Sequence, residues 1–459
     1  MTLLAIGWGN IGVQVGYLLL ALSLLVILHE LGHFIPAKIF GCRVEKFFLF
    51  FDPWFSIVKK KVGDTVYGIG WLPLGGYVKI SGMIDESMDK EAMKQPPKEW
   101  EFRSKPAWQR LIIMIGGVTV NIIVAFIIYA MILFVWGETK LPTANVHTGI
   151  SVTDSLMYDI GLKDGDKILA VNGKNVNYFE DAAMMVLLGD EVTIERDGKT
   201  ETIKLPQDLL GKLIERRKNK SPLFTLRTPI VVGELPDTSA ALKAGFKVND
   251  KIQSVDSVPT PFYDSYKQQL NAKKGKEVTV LVERNGQTVA LKAHVSSDAT
   301  LGFIRQDFSF KQLDSMGIAR VEEKKYGFFE AIPAGANLAI TKLSNYIDQF
   351  KKILSPKTGA YKGVGGFKAI GSIMPNQWGD WEMFWSITAF LSIVLAFMNL
   401  LPIPALDGGH VLFLLYEMVT RRRPSDKFLE YAQIAGMVIL LGLMLYANGN
   451  DWFGWGKGR

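Results

Sequence analysis

The sequence predicts a polytopic α-helical membrane protein with four transmembrane helices, a membrane-associated β-hairpin and two extracytoplasmic α+β modules of one design. Three observations lead there. Four runs, residues 13–28, 111–136, 384–401 and 432–447, contain no Asp, Glu, Lys or Arg. Residues 66–80 hold two β-prone stretches around a Pro/Gly turn. A third pattern occurs twice, 84 residues apart, between the second and third apolar runs. The chain of 459 residues is 48% hydrophobic and 21% charged, with a mean hydropathy of +0.16. Such an apolar excess excludes a wholly soluble enzyme and a disordered chain. The single cysteine, Cys42, excludes an intramolecular disulfide.

The run 111–136 is long enough to cross a hydrocarbon core of about 30 Å at about 1.5 Å per helical residue. The other three are shorter and qualify together with their flanks. Residues 1–12 carry no Lys or Arg, whereas residues 34–110 carry thirteen, and Arg421, Arg422, Arg423 and Lys427 fall between the third and fourth runs. Lys and Arg collect on the cytoplasmic side of membrane proteins. Both termini are therefore expected outside, with residues 34–110 and 406–428 in the cytoplasm and 137–383 outside. The net charge of +7 reads as topology, not as a nucleic-acid surface. The first run lacks a basic leader and a small-residue cleavage site, so it reads as a retained span.

These limits give an expected organisation. A first span lies in 1–36, a membrane-associated region in 37–110 and a second span in 111–137. Outer modules follow in 138–210 and 222–300, then an amphipathic interfacial helix in 326–358. A third span lies in 384–410 and a fourth in 429–448. The hairpin over Val66–Ile80 has apolar tips, and the Phe47–Phe51 run precedes it, which suits a hairpin against the bilayer. Residues 327–356 place Phe329, Ile332, Leu338, Ile340, Leu343 and Ile347 at helical spacing, which suits either an interfacial or a core helix.

In the outer segment, Gly161-Leu162-Lys163-Asp164-Gly165-Asp166-Lys167-Ile168 aligns with Gly245-Phe246-Lys247-Val248-Asn249-Asp250-Lys251-Ile252. Each copy is followed by strand–turn–strand patterns around Asp197-Gly198 and Asn285-Gly286. The pattern resembles PDZ domains, whose groove takes an extended peptide tail by strand addition. The basic stretch from Arg216 to Lys220 between the copies reads as a solvated linker.

The chemistry begins where the first run ends. His29-Glu30-Leu31-Gly32-His33 is a His-Glu-x-x-His sequence. On a helix, positions i and i+4 share a face, so both imidazoles can reach one zinc ion, with Glu30 beside it as a proton acceptor. Ionisable groups at membrane depth are costly unless they pair or bind something. A catalytic zinc commonly takes three protein ligands. Asp407 and His410, in Pro402-Ile403-Pro404-Ala405-Leu406-Asp407-Gly408-Gly409-His410, are the candidates for the third.

The early His29–His33 motif and the late Asn399-Leu400-Leu401-Pro402-Ile403-Pro404-Ala405-Leu406-Asp407-Gly408 run together resemble the site-2 protease family of intramembrane zinc metalloproteases. The two PDZ-like modules resemble its bacterial regulator-of-sigma-E branch. The likeness covers essentially the whole chain, including Leu72-Pro73-Leu74-Gly75-Gly76-Tyr77-Val78-Lys79. It implies that His29, His33 and Asp407 bind one zinc ion and that Glu30 is the general base. It implies that Asn399 holds the substrate backbone and that the hairpin, at Gly68, Ile69, Gly70 and Trp71, pairs with an unwound transmembrane substrate. It further implies a bacterial inner membrane location, a single-pass anti-sigma-factor-like substrate or a signal-peptide remnant, and a PDZ pair that filters untrimmed substrates.

Three positions depart from the family pattern. Leu49-Phe50-Phe51-Asp52 stands where many members carry Gly-x-Gly, and Gly117-Val118 and Gly363-Val364 stand where many carry Gly-Pro. A non-catalytic scaffold working through its PDZ pair would need no Glu30 between the histidines. An ion transporter would spread polar residues over several spans, yet the second and fourth offer only Asn121, Thr119 and Gln433.

Overall fold

The computed structural model describes residues 8–73, 75–83, 96–216 and 222–456. Leu74 of the predicted hairpin and most of the basic linker stretch, 217–220, lie outside the described residues. The chain divides into two compact units, one formed by residues up to 137, 325–354 and 361–459, the other by 138–324 and 355–360.

Helix α1 (Trp8–Ile39) carries the first apolar run straight through the His-Glu-x-x-His motif and ends three residues past Pro36. Four strands follow: β1 (Val44–Leu49), β2 (Phe51–Val62), β3 (Thr65–Leu72) and β4 (Tyr77–Ile80). Their order in the sheet is β2-β3-β1-β4. The hairpin expected between β3 and β4 is thus corrected, because β1 lies between them. It pairs parallel with β3 and antiparallel with β4. The true hairpin is β2–β3, turning at Gly63 with Val62 opposite Thr65. Its apolar surface is bare: Trp54 is 91% exposed and stacks on Trp71, while Ile57 and Val58 are also exposed. Helix α2 (Ala107–Val135) starts after Pro106, whose missing N–H is harmless at a helix start.

The second unit contains one design twice. The first module has β6 (Ile150–Val152), α3 (Ser155–Asp159), β7 (Lys167–Val171), β8 (Lys174–Asn175), α4 (Phe179–Leu188), β9 (Glu191–Arg196) and β10 (Lys199–Lys204). After α5 (Leu209–Arg216), β11 (Phe224–Leu226) returns to pair with β6. The second module repeats this with β12 (Val232–Glu234), α6 (Ala240–Lys243), β13 (Lys251–Val255), β14 (Val258–Pro259), α7 (Tyr263–Ala272), β15 (Glu277–Arg284) and β16 (Gln287–His294). Strand β17 (Ile304–Arg305) then returns to β12. The main sheets have matching orders, β10-β9-β7-β8 and β16-β15-β13-β14. Both modules therefore close with strands beyond the expected bounds of 210 and 300.

The aligned motifs do the same structural work in each copy. Asp166 and Asp250 are fully buried, and each takes a two-pronged hydrogen bond from an arginine, Arg196 and Arg284, with all four distances 2.7 Å. Each aspartate also caps a backbone N–H three residues earlier, Lys163 and Lys247. Burying a carboxylate is costly unless it is paired and hydrogen-bonded, which is why both halves of this constellation repeat. A helix α8 (Phe310–Ser315) and a strand β18 (Glu322–Lys324) complete the unit, β18 pairing with β5 (Glu138–Lys140).

Back in the first unit, α9 (Phe328–Leu354) buries Ala331, Gly335 and Ala339 and packs on α2 and α11 (Trp381–Leu400). It leaves Phe329 and Ile340 exposed, so it is at once a packed helix and an apolar surface. A short α10 (Phe367–Ile373) precedes α11. The expected third span of 384–410 is not one helix. It ends at Leu400, and Asp407 opens a separate helix, α12 (Asp407–Thr420), before α13 (Asp426–Phe453). Helices α1 from Asn10, α2, α11 and α13 are long and apolar enough to cross a membrane.

Candidate metal centre

Helical spacing puts His29 and His33 on one face of α1, one turn apart, with their Nε2 atoms 3.3 Å from each other. The break after α11 brings in the third group. Pro402 and Pro404 deny a continuous helix, Ala405 adopts a left-handed φ of 83°, and Asp407 follows as the first residue of α12. Asp407 Oδ2 lies 3.3 Å from His29 Nε2 and 3.3 Å from His33 Nε2.

The three donor atoms thus form an equilateral triangle. A tetrahedral ion bound at about 2.0–2.1 Å has ligand–ligand edges of about 3.3–3.4 Å, so the spacing fits zinc. Asp407 Oδ2 is buried and accepts no hydrogen bond among the described residues, a state that is costly for a carboxylate unless a cation meets it. The N-terminus of α12 adds a positive partial charge that favours the ionised carboxylate. The Nδ1–H of His33 donates to the Ile113 carbonyl at 2.8 Å, leaving its Nε2 lone pair for the shared centre. His29, His33 and Asp407 are the only such trio among the described residues. His410 sits one turn along α12 and lines the adjoining cavity without joining them.

That cavity, of about 640 Å³, is lined by His29, Glu30, His33 and Asp407 and by residues 76–80 of the sheet. Glu30 is therefore beside the donor triangle and open to the space where a substrate would lie. Asn399, in the last turn of α11, holds its Nδ2 3.5 Å from His29 Nε2. The residues expected to receive a substrate strand, Gly68, Ile69, Gly70 and Trp71, do not line this cavity. Gly68 and Ile69 are paired on both sides, with Phe48 and Leu49 of β1 and with Lys59 and Val58 of β2. Gly70 pairs with Ser56 of β2, and the Trp71 indole donates to the Pro53 carbonyl.

Three further residues support the centre. A Cβ on Gly117 would lie 2.3 Å from His33 Nε2, so only glycine lets α2 pass under the histidine pair. Asn121, fully buried in α2, places its Nδ2 3.2 Å from His29 Nδ1. Gln433 of α13 accepts the Ala405 N–H at 3.1 Å and so braces the loop that carries Asp407. In the sequence, Asn121 and Gln433 stand out only as polar exceptions within apolar runs.

The profile of peptidase family M50 matches residues 17–443. The chain is 28% identical to a Campylobacter jejuni protein carried under a zinc metalloprotease name, covering 94% of this chain and 91% of that one. It is 27% identical to the regulator of sigma-E protease RseP of Escherichia coli, covering 94% and 97%. It is 26% identical to the regulator of sigma E protease of Haemophilus influenzae, covering 95% and 98%. A match over nearly the whole chain, together with a donor triangle sized for zinc, shows that this protein belongs to peptidase family M50, the site-2 proteases, and is a zinc metalloendopeptidase.

Proposed function

We propose that the enzyme cleaves a peptide bond inside the transmembrane segment of a single-pass membrane protein, with His29, His33 and Asp407 as the zinc ligands and Glu30 as the general base. The observation that carries this reading is the 3.3 Å donor triangle formed within the last third of one membrane-length helix and just beyond the end of another. Zinc supplies a Lewis acid that polarises a peptide carbonyl and makes water acidic enough to attack near neutral pH. Glu30 takes the proton from the attacking water and returns it to the leaving amine. Asn399, beside His29, offers an amide to the substrate backbone.

A transmembrane helix satisfies its own backbone groups, so it must unwind before its carbonyl can be attacked. The lost partners come from β4, not from the β2–β3 hairpin. Among the described residues β4 is the end strand of its sheet, next to β1, and Tyr77–Ile80 line the cavity that holds Glu30. An extended substrate adding to that edge passes the donor triangle with its backbone satisfied. The exposed apolar face of β2, with Trp54 and Ile57, rests against the lipid.

The duplicated outer modules are read as a PDZ pair that binds peptide or protein tails and screens substrates by their extracytoplasmic part. The setting is a bacterial inner membrane, with the modules in the periplasm and the metal centre towards the cytoplasm. An anti-sigma-factor-like protein is the substrate class this implies. The test is cleavage of a single-span substrate by purified enzyme in liposomes, with the new termini mapped by mass spectrometry. Termini within the apolar segment, lost together with zinc in His33→Ala and Asp407→Ala, are expected. Cleavage confined to exposed loops would overturn the intramembrane reading.

A further inference from the structure

The two imidazoles of the centre are not held alike. His33 is locked by the backbone, since its Nδ1–H donates to the Ile113 carbonyl. At His29 the group facing Nδ1 is a side chain, the Asn121 amide, at 3.2 Å. An imidazole that gives its Nε2 lone pair to a metal carries its proton on Nδ1, and that proton needs an acceptor. The amide can meet it only through oxygen. Asn121 Oδ1 is buried and without a hydrogen-bond partner among the described residues, while Nδ2 is the atom presented to the ring.

We propose that Asn121 is a positioning residue for the metal centre, turning its amide so that Oδ1 accepts the His29 Nδ1–H when Nε2 binds the ion. The geometry is already in place, because exchanging the amide oxygen and nitrogen needs only a half-turn about the last side-chain bond. The rest of Asn121 is anchored independently: its backbone carbonyl accepts a 2.7 Å hydrogen bond from Ser392 of α11. Contact between α2 and α11 therefore does not use the amide. A fully buried amide within the uncharged stretch 111–135 of α2 is costly unless it is paired, and His29 is the side chain that its amide meets. This step rests on the His29–His33–Asp407 reading of the zinc site.

The experiment measures zinc affinity by chelator competition, and the visible spectrum of the cobalt form, in detergent-purified full chain. Wild type and Asp407→Ala come first. One zinc in the former and none in the latter establishes the ligand set before Asn121 is tested, so failure of that reading is seen separately. Asn121→Leu, similar in volume but with no acceptor, is then expected to bind zinc about 10–100-fold more weakly with an altered cobalt spectrum. Asn121→Asp, which can only accept, is expected to bind at least as tightly as wild type. A purely structural role would lower the melting temperature and leave zinc affinity unchanged in Asn121→Leu, which would overturn the proposal. If Asn121→Leu does not fold, Asn121→Asp decides alone: retained zinc supports an acceptor at this position, and lost zinc in a folded protein refutes it.

Discussion

Gln433 accepts the backbone N–H of Ala405 at 3.1 Å, two residues before Asp407, so the last apolar helix determines where the carboxylate of the metal centre stands. The two elements also touch closely: a Cβ on Gly436, one turn further along α13, would lie 1.5 Å from the Pro404 carbonyl oxygen. Gln433→Leu removes the acceptor from a backbone N–H held in a left-handed turn, at a cost of about 1–3 kcal/mol. We expect zinc affinity to fall about tenfold or more, as for loss of other outer contacts of a metal site, with the α-helical content intact. Gln433→Glu, which keeps the acceptor, should restore it. Chelator competition on the three proteins checks this.

Gly117 makes an equally direct prediction. Its missing side chain is the space occupied by the His33 imidazole, 2.3 Å from where a methyl group would be. Gly117→Ala therefore forces the histidine pair off its 3.3 Å spacing or pushes α2 away from α1, the kind of overpacking that costs about 1–3 kcal/mol. The expected result is a folded protein with little bound zinc, read by metal analysis after size-exclusion chromatography. Gly12→Ala, where an added methyl group meets nothing, is the control and should keep its zinc.

These supporting roles mark the boundary of what the sequence could reveal. His29 and His33 were legible because helical periodicity alone puts i and i+4 on one face; Asp407 was legible only as one of two candidates, with His410, beside the Pro402 and Pro404 break, and the family resemblance chose between them. The duplicated Asp-Lys-Ile runs were legible as a repeat. The sheet order was not. Strand propensity identifies β3 and β4 but says nothing of partners, and β1 inserts between them by a non-local parallel pairing with β3. Likewise, Asn121 and Gln433 gain meaning only from what faces them across the helix bundle.

Acid should act on the second module through Asp250. Burial pushes this carboxyl upward, but the Arg284 hydrogen bonds, the Lys247 N–H and the Arg284 charge outweigh it and hold the group below the usual carboxylate range. A carboxyl more acidic in the folded than in the unfolded state contributes its full stability above about pH 4 and loses it as pH falls through the lower folded value. Hydrogen exchange across β13–β16 should be flat from pH 7 to 5, after correction for intrinsic rates, and rise below about pH 4. Asp250→Asn should blunt that acid rise. Arg284→Ala, which strands a fully buried carboxylate, should destabilise the module by about 3–5 kcal/mol at neutral pH.

We propose that Glu30 does chemistry at a zinc site it does not build. Its carboxylate lines the cavity beside His29, His33 and Asp407 but stands outside their donor triangle. The most direct test is zinc content and cleavage of a single-span substrate, measured side by side in wild type and Glu30→Gln. One zinc per chain in both proteins, with cleavage only in wild type, is the predicted result. Cleavage by Glu30→Gln at the wild-type rate would contradict the account.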